Sequence, residues 1–280
     1  MKYSIPAKTF VVGEYAALSG EGAIILTTSP DFSVSITEQN KLQNIHPAAP
    51  AAKFWRAQNI NNHGLLFADP YHGIGGLGAS SAQFIGAYLA SCQLKKTNPD
   101  LEELLDAYWR YSWDGNGKRP SGYDIIAQQT AKKLLYIKNR NKEIKPLSWP
   151  LHDLSFLLIH TRKKLATHEH LQQNITPRID NLAKVVQKAK KAFIGANRQL
   201  IVSAINDYQQ ELADNALIAP HTQEILNHLK QQHQEILAAK GCGAMGADVI
   251  LIVVATCNLQ KMEQKLQEFS IITTSRSQSF

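Results

Sequence analysis

The sequence predicts an α+β protein of two lobes, the first rich in strands and the second rich in helices. Three observations carry that prediction. Several apolar or alternating strands precede any long helix, which argues against a purely parallel, doubly wound sheet. A glycine-rich run at 73–82 feeds straight into an apolar-periodic helix. Long amphipathic helices then dominate 179–239. The polar, proline-bearing stretch 139–150 is the expected boundary, giving lobes 1–150 and 151–280.

Taken in order, 4–20 reads as a strand and tight turn around Lys8 and Gly13-Glu14-Tyr15, and 23–27 as a short apolar strand. Phe32, Val34 and Ile36 alternate with Ser33, Ser35 and Thr37, the period of a half-buried strand. Residues 51–61 read as a helix and Leu65-Leu66-Phe67 as a strand leading to the glycine loop, whose helix runs to about Leu94. The next helix opens at Asp100 with Glu102 and Glu103 in its first turn, where the dipole favours acids. It stops before the turn formers Asp114-Gly115-Asn116-Gly117, and another helix covers 125–131. Beyond the boundary come a strand at 154–160 and helices at 179–196, 200–215 and 221–239. A second glycine loop, 241–246, leads into a buried-type strand at 248–254, a helix near 259–269 and a last strand at Ile271.

A chain of 280 residues can bury a sizeable core as one large domain or two modest ones. With 19% charged and 44% hydrophobic residues it is an ordinary globular protein, neither disordered nor fibrous. Its formal net charge of +7 suits an acidic ligand. Nucleic acid is not the expected partner: Lys163, Lys164, Lys188, Lys190 and Lys191 read as solvated faces, and no zinc-finger or aromatic-basic motif occurs. Cys92, Cys242 and Cys257 are far apart with no C-x-x-C pair, which suits a reducing compartment. The apolar run 249–257 is too short to span a bilayer, and 1–6 lacks the apolar core of a signal peptide. A cytoplasmic protein, monomer or homodimer, is expected.

The run Gly73-Ile74-Gly75-Gly76-Leu77-Gly78-Ala79-Ser80-Ser81-Ala82 carries the first chemical signal. Glycines let a backbone approach a ligand, and the free amides at a helix start favour anions. Ser80 and Ser81 add hydroxyls for phosphate or a metal ion, so a nucleotide phosphate is the natural ligand. Gly73, Gly75 and Gly78 satisfy G-x-G-x-x-G, but a dinucleotide loop needs a strand running into the first glycine and an acid ending a second strand. Here 68–72 intervenes, and Asp100 follows a polar stretch that is no strand. No Gly-Lys-Ser/Thr follows, so this is no Walker loop either. A glycine-rich turn before an ordinary helix remains the plain alternative.

Further segments complete a pattern. They are Ile5-Pro6-Ala7-Lys8 with Gly13-Glu14-Tyr15-Ala16-Ala17, then Gly76-Leu77-Gly78-Ala79-Ser80-Ser81-Ala82, Pro120-Ser121-Gly122-Tyr123-Asp124, and Gly243-Ala244-Met245-Gly246-Ala247-Asp248. In type and order they resemble the motifs of the galactokinase, homoserine kinase, mevalonate kinase and phosphomevalonate kinase (GHMP) superfamily, over nearly the whole chain. The resemblance implies a two-lobed fold with a ribosomal-protein-like N-terminal lobe and a ferredoxin-like, helix-rich C-terminal lobe. It implies phosphoryl transfer from ATP with Mg2+. Asp124 would orient or deprotonate the acceptor, and Lys8 would stabilise the transferring charge or keep Asp124 ionised. Gly75, Gly76, Leu77, Gly78, Ala79, Ser80 and Ser81 would hold ATP, with Ser80 on Mg2+. Glu14 would face the metal shell or an anionic small-molecule substrate, and Lys118, Arg119, Ser121, Gly122, Thr167, Gly243, Ala244 and Asp248 would face that substrate.

Two departures stand out. Ala79 replaces the first serine of the central motif, so one hydroxyl contact is lost or moves to Ser81. The segment 108–113 occupies the place of a Mg2+-binding helix glutamate, leaving only Asp106 or Asp114 as substitutes. Thr161, Thr167 and His168, after the strand at 154–160, are candidates for the acceptor pocket, although Thr167 also suits a helix N-cap. Tyr15, Asp248 and the basic pair Lys118-Arg119 resemble phosphomevalonate kinases, while mevalonate kinase and diphosphomevalonate decarboxylase remain the alternatives within the family. A non-catalytic nucleotide or metabolite sensor is the alternative of another class.

Overall fold

The computed structural model describes residues 1–130, 133–150, 152–162 and 179–277. The fold class is the expected one: eight α-helices and two sheets among the described residues. Packing forms two units, Met1–Lys8, Thr27–Gly73 and Gly78–Lys132 in the first, and Thr9–Leu26, Ile74–Leu77 and Lys133–Phe280 in the second. The chain therefore passes between units several times, and 133–150 belongs with the second. Strands β1 (Lys2–Val12) and β2 (Ala23–Thr37) pair with each other and contribute residues to both units.

The two strands expected at 23–27 and 32–37 are one, β2, which continues through the cis Ser29-Pro30 bond. Proline is tolerated there because Pro30 and Asp31 are exposed, so no buried ladder bond is lost. In the first unit the second half of β2 pairs antiparallel with β4 (Gly64–Ala68), from Ser33↔Ala68 to Thr37↔Gly64. The short β3 (Leu42–Gln43) pairs parallel with β4. Four helices follow: α1 (Pro50–Ala57), α2 (Ala79–Lys95), α3 (Leu101–Ser112) and α4 (Tyr123–Thr130). Helix α2 lies directly on β2, for a Cβ on Gly86 would fall 2.3 Å from Val34 Cγ2. On its other flank Phe84 packs against Phe54 and Tyr108, with ring centroids 5.2 and 5.4 Å away.

In the second unit the first half of β2 pairs with β5 (Leu134–Lys138), which forms a hairpin with β6 (Glu143–Pro146). This hairpin is absent from the expected elements because its polar outer strand reads as a linker. Strands β7 (Leu154–His160), β8 (Ile236–Cys242), β9 (Val249–Ala255) and β10 (Ser270–Thr274) form an antiparallel sheet in the order β10-β7-β9-β8. Its helices are α5 (Ile179–Ile194), α6 (Arg198–Asp214), α7 (Pro220–Gln232) and α8 (Leu259–Lys265). Leu157, Ile159, Ile250 and Ile252 pack with Leu226, Leu229, Leu259 and Met262 in one core.

Helix α7 ends at Gln232, not at 239. Ile236 onward instead pairs with β9, from Ile236↔Val254 to Cys242↔Val249. Leu237-Ala238-Ala239 favours a helix locally, but the ladder to a fully buried strand outweighs a propensity of a few tenths of a kcal/mol per residue, roughly. No helix among the described residues is long and apolar enough to cross a membrane.

Candidate active site

In the first unit, β1 carries Lys8 in a run whose neighbours Ala7 and Thr9 are fully buried, and Lys8 itself is 7% exposed. A buried ammonium needs a counter-charge, and it has one: Lys8 Nζ lies 3.0 Å from Asp124 Oδ2. The carboxylate is the more accessible partner, with 32% side-chain exposure against 8% for the lysine.

Asp124 sits in the first turn of α4, and the chain entering that helix is held at three points. Trp109 Nε1 donates to Pro120 O at 2.8 Å, and Tyr123 N donates to Ser121 Oγ at 3.3 Å. Gly122 has φ +76°, and a Cβ there would come within 2.9 Å of Leu105 Cδ2. Ser121 and Gly122 thus aim Asp124. Burial first, and then the Asp124 charge, pushes the Tyr108 hydroxyl above its ordinary range.

The glycine loop enters α2 beside this pair. Gly78 is the N-cap, at φ +85°, and a side chain there would meet Lys8 Cγ at 2.9 Å and Gln128 Nε2 at 3.0 Å. Ala79 and Ser80 open the helix, with Ser80 exposed, and the first-turn amides point where an anion would bind. Ser81 is 3% exposed, and its hydroxyl bonds Gly78 O and Gln128 Oε1. The missing serine contact of Ala79 is therefore not handed to Ser81, whose hydroxyl is spent inside the fold. Gln128 has no signal in the sequence pattern, yet its Nε2 donates to Pro6 O at 2.6 Å and to Gly78 O at 3.2 Å.

Lys118 and Arg119 lie on an exposed turn, and the Arg119 guanidinium stands 4.1 Å over the Trp109 ring. Neither Asp106 nor Asp114 joins Lys8 and Asp124 in any contact found in this structure. Asp106 is exposed on α3, and Asp114 accepts from Asn116 N at 2.9 Å, a bond that lowers its carboxyl pKa. Among the described residues no three His, Cys, Asp or Glu side chains cluster to hold a metal. Oxygen donors at the start of α2 and on its neighbour α4 are the exposed Ser80 hydroxyl and the partly exposed Asp124. Mg2+ keeps several waters and relies on nucleotide phosphates, so this donor set fits an ion carried in on ATP.

In the second unit Gly75, Gly76 and Leu77 belong with the last motif. Asp248 is 4% exposed, and a Cβ on Gly76 (φ +79°) would lie 2.6 Å from Asp248 Cβ. A Cβ on Gly243 (φ +91°) would lie 2.5 Å from Asp248 Oδ2. Both glycines are thus required by the Asp248 side chain. Ala244 opens the 3-10 turn Ala244–Gly246. Thr161 N and Oγ1 both donate to Asp248 O at 3.2 Å, which ties the end of β7 to this turn.

Glu14, expected at a substrate or metal, receives a hydrogen bond at Oε1 from Lys240, whose side chain is fully buried. Lys240 also donates to Gly241 O at 2.8 Å. Tyr15 OH accepts from Met245 N at 3.0 Å, and burial raises its pKa to about 12. Thr167 and His168 lie outside the described residues.

No family model and no curated protein matches the sequence. Solved structures do. Streptococcus pneumoniae phosphomevalonate kinase, in complex with phosphomevalonate and AMPPNP, superposes with a TM-score of 0.79 at 15% identity, covering 98% of this chain and 99% of that one. Methanococcus jannaschii mevalonate kinase superposes at 0.75 with 18% identity, covering 98% and 97%. Lactococcus lactis galactokinase, in complex with galactose, superposes at 0.72 with 14% identity, covering 95% and 88%. The chain has the fold of the GHMP kinases.

Proposed function

We propose that this chain is an ATP-dependent kinase acting on a small anionic acceptor of the mevalonate branch, 5-phosphomevalonate, to give the 5-diphosphate. The observation that carries the reading is the 3.0 Å pair of Lys8 and Asp124 set beside Gly78 at the start of α2. Phosphoryl transfer asks a protein mainly for positioning and charge neutralisation. The amides heading α2, with Ser80, hold the β and γ phosphates. Ser80 and the nucleotide phosphates would hold Mg2+, which would supply further neutralisation of phosphate charge. Lys8 stabilises charge on the transferred group, and its burial means little reorganisation is needed.

Asp124 orients the acceptor. A phosphomonoester has a second pKa near 6, roughly, so its attacking oxygen is already ionised at neutral pH. Lys8, Lys118 and Arg119 then offset the repulsion between that phosphate and the aspartate. The S. pneumoniae structure with phosphomevalonate and AMPPNP supports this choice of donor and acceptor. A second reading, mevalonate as acceptor, draws support from the similarity to Methanococcus jannaschii mevalonate kinase. The acceptor would then be a hydroxyl, and Asp124 would have to take its proton.

The test is the purified protein with Mg-ATP and mevalonate, phosphomevalonate or diphosphomevalonate, followed by ADP release and phosphorus NMR. Diphosphate formation from phosphomevalonate is expected. Turnover of mevalonate alone would move the reading to the hydroxyl acceptor, and loss of carbon dioxide from diphosphomevalonate to a decarboxylase. Nucleotide binding without ADP from any of the three would leave a non-catalytic sensor.

A further inference from the structure

We infer that Gln128 is a positioning residue, whose buried carboxamide sets the phosphate-binding loop against the strand that carries Lys8. Gln128 is 2% exposed and lies one helical turn beyond Asp124 on α4. Its two N–H groups meet two backbone carbonyls, Pro6 O at 2.6 Å and Gly78 O at 3.2 Å, while Oε1 accepts from Ser81 Oγ. Both N–H groups and one lone pair of the carbonyl oxygen are used. Flipping it would set Oε1 against two carbonyl oxygens, so its orientation is dictated by its partners.

Those partners belong to three separate segments. Pro6 is two residues before Lys8, Gly78 is the N-cap of α2, and Gln128 shares α4 with Asp124. Gly78 is pressed between Lys8 and Gln128, where any Cβ would lie 2.9 Å from the one and 3.0 Å from the other. One side chain thus measures the distances among the phosphate loop, the lysine strand and the helix of the aspartate. No other residue type does so. Leucine removes the donors to Pro6 O and Gly78 O and leaves Gly78 O with only its local bonds from Ser81 Oγ and Ala82 N, asparagine is one methylene short, and glutamate turns an oxygen toward both carbonyls. Loss of the carboxamide frees Gly78 to shift, and with it the first-turn amides of α2 and the setting of Lys8 against Asp124. The catalytic consequence rests on the kinase reading; the structural one does not.

The experiment compares Gln128→Leu and Gln128→Glu with the wild-type chain in two arms. In the first, hydrogen exchange is followed by mass spectrometry without ligand, on peptides from 73–82 and from 236–255. Exchange at 78–82 should quicken about tenfold or more in both variants, with 236–255 unchanged, since bonds to buried backbone groups are lost only at the first site. Equal exchange at 78–82, or quickening of both regions alike, would overturn the inference. The glutamate variant keeps the side-chain size and the Ser81 acceptor, so it serves if the leucine variant does not fold.

In the second arm KM for ATP should rise and kcat fall together, each by about 10- to 100-fold, as misplacement of a catalytic frame predicts. A variant with only a lower melting point, and wild-type KM and kcat where folded, would also overturn it. A wild-type chain that neither binds nor turns over ATP would count against the kinase reading, and the exchange arm alone would then decide the role of Gln128.

Discussion

Lys8 Nζ and Asp124 Oδ2 are 3.0 Å apart, yet the two groups meet solvent unequally, the lysine at 8% side-chain exposure and the aspartate at 32%. The lysine depends on the carboxylate for its counter-charge, while the carboxylate can still reach a ligand. Asp124→Asn keeps the shape and removes the charge. Turnover should fall on the order of 10² to 10⁴-fold, toward the lower end if the acceptor is an already ionised phosphate. ATP affinity should hardly move, because the α2 amides are untouched. Stability should drop by about 1–3 kcal/mol, since a nearly buried ammonium loses its partner. Steady-state kinetics and urea titration read both, and near-normal turnover would sink the mechanism.

Ser80 is exposed on the first turn of α2 and carries little packing. Ser80→Ala should therefore raise KM for Mg-ATP by about tenfold, the worth of a hydrogen bond to a charged group, and leave the melting point almost unchanged. Ser81→Ala should reverse the pattern, because its hydroxyl bonds Gly78 O at 2.9 Å in a buried site. Mg-ATP kinetics indifferent to Ser80→Ala would place the phosphates elsewhere.

The buried pair of Glu14 and Lys240 predicts a stability effect. Lys240→Met leaves Glu14 with no counter-ion in a site only 9% exposed and should cost about 3–5 kcal/mol. Glu14→Gln with Lys240→Met should recover most of that loss in denaturant titrations. A double variant as unstable as the single one would mean that the pair is not the source of the effect.

Alkaline pH should erode the stability of the fold from the ordinary tyrosine and lysine values upward. Burial holds the Tyr15 phenol protonated, with its pKa raised to about 12. Burial works against the Lys240 ammonium, but Cys242 and Glu14 outweigh it and the net shift is again upward. A raised folded pKa means the folded state binds more protons, so stability is complete below the unfolded pKa and falls as pH rises through the folded one. For Tyr15 the window is about pH 10 to 12, with roughly 2–3 kcal/mol at stake. Urea midpoints taken across that range should fall for the wild-type chain and fall less steeply for Tyr15→Phe. Parallel slopes would remove Tyr15 from the account.

What was legible in the sequence follows from where residue identity constrains backbone. Gly78 and Gly122 occupy positive-φ positions against side chains, and Pro120-Ser121-Gly122 delivers Asp124 into its helix. Such demands show as motifs, α3 carries clear helical periodicity besides, and β9 shows as a continuous apolar run. Partners across the fold leave no local trace. Gln128 reads as an ordinary helix residue, and nothing local marks Lys240, whose partner Glu14 is 226 positions away. Strand β8 was hidden by helix-favouring alanines and β5–β6 by a polar strand, because pairing rather than propensity decides both.

Arg119 separates the two acceptors. It stands 4.1 Å over Trp109, whose indole N–H is fixed on Pro120 O two residues from Gly122. The ring therefore presents the guanidinium from a braced position, which suits a fork for phosphate oxygens. If it grips the acceptor's phosphate, Arg119→Ala should raise the phosphomevalonate KM by about 10- to 100-fold, the worth of one charge-assisted contact, and spare kcat. Arg119→Lys keeps the charge but loses the stack and the fork, so its KM should fall between the two. The melting point should shift little, since an exposed cation–π contact is worth about 0.5–1 kcal/mol. An Arg119→Ala enzyme with unaltered phosphomevalonate KM would show that the arginine only braces Trp109. The balance would then tip to a mevalonate hydroxyl as the acceptor, with Asp124 as its base.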